Sequence, residues 1–285
     1  MSRVCIVGDS HVVALKQGWE AISGHLPETE IVLFAAGHNT ISDLRVEDGA
    51  ILPASDKLRQ AFVFSAGTDR IEAGFDRFIL CSMGFDHRHA LKIANKFVAE
   101  RFRSDDSRAP ISDDCFTRAI LDTLATSTMF SVAQMVRRIT GAPITAICAP
   151  FGAVHPRTGY VGGSRLKPPD DDGAVAELFH GACRTAIQSI GGDYLPQPVE
   201  TLGTNCMTTA QSFAAAPARI AKKRGVGPDY NHMNADYGAI VMAAALNCPR
   251  SLVPVCGPPT MAESLNRPRS VPADCSAPDY DCWRL

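Results

Sequence analysis

The 285-residue sequence has no excess of positive charge. Lysine and arginine nearly balance aspartate and glutamate, for a net charge of −2, so no basic face of the kind that neutralises a phosphate backbone is encoded. Nucleic acid is therefore not an expected partner. The densest basic cluster, Lys222-Lys223-Arg224, is short and reads as a solvated helix end. No apolar run approaches the roughly 18 residues that span a bilayer, and "AIVMAAAL" at 239–246 continues a helical pattern, so no membrane association is expected. The ten cysteines include no Cys-x-x-Cys and no Cys/His group at zinc spacing, which argues against a structural metal. Several lie inside apolar runs (Cys5, Cys81, Cys148) and read as buried thiols; only Cys275 and Cys282, in a Pro-rich stretch, are left open as a pair. Neither Gly-x-Gly-x-x-Gly nor a Walker lysine follows the first strand, so no nucleotide or other cofactor is implied. The opening residues run straight into a strand without a charged leader and cleavage site, from which a cytoplasmic location is expected.

What is present is an apolar fraction of 46%, enough for one full core. Residues 3–8 are a short Val/Ile-rich run ending at Gly8 and Asp9, as in a buried parallel strand. Val12, Leu15, Trp19, Ile22 and Leu26 then recur at helical spacing. Further strands are expected at "EIVLFAAG" (30–37), "AFVFSA" (61–66), "RFILCSM" (77–83), "PITAICAPFG" (143–152) and "GGDYLP", the 61–66 and 77–83 runs joined by a hairpin-like link. Helices are expected over 90–102, over 116–139 as two pieces or one broken one, from Val175 to Ile190, and from about Asn234 onward. Residues 155–172 read as a surface loop and 196–231 as irregular chain over the sheet edge. Strand and helix in alternation give an α/β class: a three-layer, flavodoxin-like fold with a mainly parallel five-stranded sheet flanked by helices. One domain spans 1–247, followed over 248–285 by an irregular Pro- and Cys-containing tail.

Open parallel sheets bind ligands beyond the carboxyl ends of their strands. Three strand ends carry small or polar groups: Gly8-Asp9-Ser10-His11, Gly37-His38-Asn39 and Gly84-Phe85-Asp86-His87. Ser10 reads in two ways. As an N-cap it would stabilise the following helix by about 1 kcal/mol; as a nucleophile it needs a base and a group that orients the base. "GPDYNHMNADYG" supplies both, because Asp229 and His232, three apart on a turn before the last helix, allow the carboxylate to hold the imidazole toward Ser10. Asp9 reads as a cap or a supporting carboxylate, His11 as a cleft wall, Gly37 equally as a turn glycine, and Asn234 and Tyr237 as cap and core.

With Gly8-Asp9-Ser10 after the first strand, Gly37 after the second and Asp229-x-x-His232 near the end, the sequence resembles the SGNH hydrolases, or GDSL esterases and lipases, over most of the chain to about residue 247. The resemblance implies Ser10 as nucleophile, His232 as base and Asp229 as its orienter, with the backbone N–H groups of Ser10 and Gly37 as oxyanion donors. It departs at the third block, where the family has Gly-x-Asn-Asp and this chain has Gly84-Phe85-Asp86-His87. Three readings follow: a protonated Asp86 donates in place of the asparagine, His87 supplies the missing donor, or the chain is a weakened relative; Asn39 is a further candidate. The function expected is serine-dependent hydrolysis of a small-molecule or carbohydrate ester, with no metal or cofactor. O-acyl transfer at the same site, or a catalytically weak glycan- or ligand-binding module, are the alternatives.

Overall fold

The computed structural model describes residues 1–37, 40–100, 108–155, 159, 161, 166, 172–215 and 229–253. Five strands form an all-parallel sheet: β1 (Ser2–Gly8), β2 (Thr29–Ala35), β5 (Arg77–Cys81), β8 (Ile144–Ile147) and β9 (Asp193–Leu195), in the order β2-β1-β5-β8-β9. The chain leaves β1 to one side for β2 and crosses back for the remainder. The switch in strand order therefore falls between β1 and β5, the place where an open sheet leaves a crevice.

Alternation along the strands sorts the side chains into two cores. Val4 and Ile6 of β1, with Ile79, Cys81 and Ile147, face α1 (Val12–Ile22) and the last helix, α7 (Ala235–Ala245). Cys5 and Val7, with Phe78, Leu80, Ile144 and Ala146, face the other way. There they meet α2 (Asp56–Ala66), α3 (Arg88–Ala94), α4 (Asp113–Ala125), α5 (Thr128–Ile139) and α6 (Asp172–Gln188). The result is the expected three-layer α/β arrangement with a five-stranded parallel sheet.

Three local expectations are corrected. The 61–66 run is the second half of α2, not a strand: Ser55 caps the helix by accepting the Leu58 N–H, Leu58 and Phe62 are buried one turn apart, and Gly67 ends it at φ 75°. No hairpin therefore joins it to β5. The hairpin lies earlier, between β3 (Leu44–Glu47) and β4 (Ala50–Pro53), where Asp48 and Gly49 both take positive φ as a tight hairpin turn requires. The helix expected over 90–102 ends at Ala94, and Phe97–Ala99 is strand β6, paired with β7 (Ala109–Ile111). The broken helix over 116–139 is α4 followed by α5, bent by 62° at Thr126–Ser127.

Among the described residues no single helix is long and apolar enough to cross a membrane. Cys5, Cys81, Cys148 and Cys183 are buried free thiols. Lys222-Lys223-Arg224, His38, Asn39, Cys275, Cys282 and most of the 155–172 loop lie outside the described residues, as does the expected tail beyond 253.

Candidate active site at the switch point

Gly8 ends β1 where no side chain fits: a β-carbon there would sit 2.4 Å from Val12 Cγ1 and 2.7 Å from the Cys81 carbonyl oxygen. The chain then turns through Asp9 and Ser10 into α1. That helix starts at Val12, with His11 at the cap position and no side-chain cap bond, so Ser10 does not cap it. The turn into it is held by Asp9, whose Oδ1 accepts the His11 N–H at 3.2 Å.

Ser10 Oγ lies 3.0 Å from His232 Nε2, and His232 Nδ1 lies 2.6 Å from Asp229 Oδ2. With the Nδ1 proton donated to Asp229, Nε2 is left to accept the Ser10 hydroxyl proton. The carboxylate's other oxygen accepts the backbone N–H groups of Asn231, at 2.9 Å, and His232, at 3.1 Å. Asp229 and His232 sit on β11 (Asp229–Met233), paired antiparallel with the two-residue β10 (Ala214–Ala215), rather than on the turn expected from their spacing. Asn234, directly after, caps α7 by accepting the Tyr237 N–H, and Tyr237 is core.

The electrostatics follow from these contacts. Burial pushes the Asp229 carboxyl up, but the hydrogen bond and charge of His232 and the two backbone donors outweigh it and bring it down to about 2. His232 is raised above an ordinary histidine, mainly by its hydrogen bond to Asp229, against the opposing effect of burial. The charge of Asp9 adds to the rise.

Two backbone donors stand beside the serine motif. Among the described residues, neither Ser10 N–H nor Gly37 N–H makes a hydrogen bond. Gly37 has a negative φ and nothing within 4 Å of the position of a β-carbon, so neither backbone conformation nor packing calls for glycine there.

The loop after β5 is backbone under constraint. Ser82, Met83 and Gly84 have φ of 67°, 42° and 94°, three successive residues in a region that favours glycine. Buried Asp9 holds them: its Oδ2 accepts the Ser82 hydroxyl at 2.9 Å and the Met83 N–H at 3.1 Å. The residue before the serine thus ties the end of β1 to the loop leaving β5.

That loop carries the residues expected to replace the family asparagine. Asp86 is buried and accepts the Arg88 N–H at 2.9 Å on Oδ1 and the Arg88 Nε–H at 2.6 Å on Oδ2, with Nη2 on the same oxygen. Burial alone would raise its carboxyl, but the Arg88 hydrogen bonds and the neighbouring charges hold it well below the usual carboxylate range. It stays ionised and has no proton to donate, which corrects the reading of Asp86 as a protonated oxyanion donor. His87 is buried with its ring 4.7 Å from that of Phe151, and neither of its ring nitrogens has a hydrogen-bond partner among the described residues; Nδ1 lies 3.4 Å from Asp86 Oδ1. Desolvation brings this imidazole down to about 4, so it is neutral at pH 7 with one N–H to offer.

His11, expected to line the cleft, places its ring 5.0 Å from that of His232, and its buried Nδ1 is likewise without a partner among the described residues. The His155 ring lies 5.0 Å from that of Tyr230. Arg88 was not anticipated as part of the site, although Asp86 and Arg88 stand two apart in the sequence. Among the described residues no three His, Cys, Asp or Glu side chains are grouped to hold a metal ion.

No protein-family model matches the sequence, and neither does any curated protein. Among solved structures, the extracellular lipase of Streptomyces rimosus is 10% identical, covering 87% of this chain and 100% of its own, with a TM-score of 0.44. The periplasmic domain of a lipopolysaccharide acetyltransferase from Salmonella ser. Paratyphi A is also 10% identical, covering 86% and 82%, with a TM-score of 0.38. Likeness at this level assigns no activity. The three-layer α/β fold stands on the sheet itself, with Ser10 after the first strand and Asp229-x-x-His232 before α7, at the ends expected from the motifs.

Proposed function

We propose that the protein is a serine-dependent ester hydrolase that works through a Ser10 acyl-enzyme on a small-molecule or carbohydrate ester. One observation carries this: a continuous hydrogen-bonded chain runs from Ser10 through His232 to Asp229. As Ser10 Oγ attacks the ester carbonyl, its proton passes to His232 Nε2, and Asp229 stabilises the imidazolium that forms. The carbonyl oxygen becomes an oxyanion facing the N–H groups of Ser10 and Gly37. Nε2–H then protonates the departing alcohol, leaving the acyl group on Ser10. In the second half, water gives its proton to Nε2, adds to the acyl carbon and releases the acid, and the proton returns to Ser10.

Asp86 offers no hydrogen to the oxyanion, so this reading predicts a slow enzyme unless His87 donates. One missing donor costs on the order of a hundredfold to a thousandfold in rate. The test is a fluorophosphonate followed by peptide mass spectrometry, together with turnover of a short-chain para-nitrophenyl ester. Labelling is expected on Ser10 and is expected to vanish in His232→Ala. Labelling elsewhere, or equal labelling of the histidine variant, rejects the mechanism. Product analysis with an added alcohol or sugar separates hydrolysis from acyl transfer, which uses the same groups with a different acceptor.

A further inference from the structure

The ion pair between Asp86 and Arg88 has no part in the chain from Ser10 to Asp229, yet it is built into the same edge of the sheet. Gly8 at the end of β1 is in register with Cys81 at the end of β5, and Asp9 ties the loop after Cys81 to the residue before Ser10. Asp86 and Arg88 follow in that same loop and at the start of α3, five and seven residues beyond Cys81. Their charges both act on His11, the residue after Ser10, and the charge of Asp9 acts on Arg88.

The two partners differ in access. The Asp86 side chain is 11% exposed and that of Arg88 42%. The carboxylate fixes the guanidinium through Nε and Nη2, and among the described residues Nη1 makes no hydrogen bond. A guanidinium anchored on one edge and open on the other is preorganised to accept a second planar anion. The unpaired nitrogens of His87 and the unpaired Nδ1 of His11 place further polar groups on the same loops.

We propose that Arg88, anchored by Asp86, receives a carboxylate carried by the ester substrate, so that the protein prefers acidic esters to neutral ones of equal length. A carboxylate fits better than a phosphate dianion: the guanidinium is already half neutralised by Asp86, and no other arginine or lysine bonds to either partner among the described residues. The inference rests on the ester chemistry proposed for Ser10.

The experiment compares kcat/KM for mono-para-nitrophenyl glutarate and para-nitrophenyl pentanoate, in the wild type, Arg88→Gln and the double variant Asp86→Asn/Arg88→Gln. The double variant removes both charges together, so a buried unpaired carboxylate does not confuse the result if the single variant fails to fold. The wild type is expected to favour the acidic ester, and the ratio of the two kcat/KM values is expected to drop by about tenfold to a hundredfold in either folded variant, the size of a lost charge-assisted hydrogen bond. Inorganic phosphate is expected to inhibit more weakly than glutarate. A ratio unchanged in the double variant, or stronger inhibition by phosphate, overturns the carboxylate site while leaving the Ser10 chemistry in place. Failure of both esters to turn over, with no Ser10 labelling, overturns the proposed function and this inference with it.

Discussion

Gly18 of α1 and Gly238 of α7 meet backbone to backbone: a β-carbon on Gly18 would lie 2.1 Å from the Gly238 carbonyl carbon, and one on Gly238 would lie 1.7 Å from the Ala14 carbonyl oxygen. No side chain fits between the helices. Ser10 precedes the first of them and His232 the second, so the closeness of this crossing sets how near the hydroxyl comes to the imidazole. Ala14, Leu15, Tyr237 and Val241 fill the same core on either side of it.

Alanine at Gly18 or Gly238 is therefore expected to force the helices apart. The loss should exceed the usual overpacking cost of about 1 to 3 kcal/mol, because the obstacle is backbone rather than a flexible side chain. Urea unfolding measures the loss. Activity should fall further than the folded fraction does, since the Ser10–His232 distance depends on the crossing.

Asp229→Asn removes the carboxylate that both orients His232 and raises its pKa. A drop in kcat of about a thousandfold or more is expected, as for the same change in a serine protease triad. His232 must be neutral to take the Ser10 proton. Wild-type kcat/KM should therefore rise with pH through a value above that of an ordinary histidine, and in Asp229→Asn the midpoint should move to lower pH. A pH–rate profile of both proteins decides this.

His87 and His180 each have a pKa near 4 because burial penalises their charged forms. A histidine whose folded pKa is depressed binds a proton in the unfolded chain before it does so in the native one. Between about pH 6.5 and pH 4 acidification thus favours unfolding, with a full effect of about 3 kcal/mol for a buried group such as His87. Replacement by phenylalanine keeps an aromatic ring beside Phe151. The prediction is that His87→Phe flattens the acid limb of urea stability measured from pH 4 to 7 while changing stability at pH 7.5 much less.

Asp9→Asn tests the support beneath the loop. An amide nitrogen in place of Oδ2 no longer accepts the Met83 N–H, and two of three left-handed residues are not glycine. A loss of about 2 to 4 kcal/mol is expected, the scale of a buried charged acceptor removed from donors that stay behind. Hydrogen exchange should locate the change at 82–86.

Much of the fold was legible because buried parallel strands appear as continuous apolar runs, and four of the five in the sheet stand out in that way. The 61–66 run misled for the same reason: "AFVFSA" is rich in aromatic and β-branched residues, and the helix signal lay at its margins, in Ser55 and Gly67. Strand β6 depends on pairing with β7 a dozen residues on, which local periodicity does not carry. Within the site, the order of Gly8-Asp9-Ser10 and Asp229-x-x-His232 was enough to bring three side chains together on paper. The Asp86–Arg88 pair was not, because where an arginine points depends on which carboxylate the fold buries beside it. The Gly18–Gly238 contact is a crossing of two helices 220 residues apart, and neither helix alone explains its glycine.

Ser10 and His232 are separated by 222 positions, and β11 and α7 are the last strand and α-helix in the described chain. Synthesis passes from the serine to the histidine only after all the later strands of the central sheet have been made. On the proposed mechanism, a nascent or truncated chain that lacks β11 and α7 carries a serine with no base, so reactivity at Ser10 would act as a completion signal.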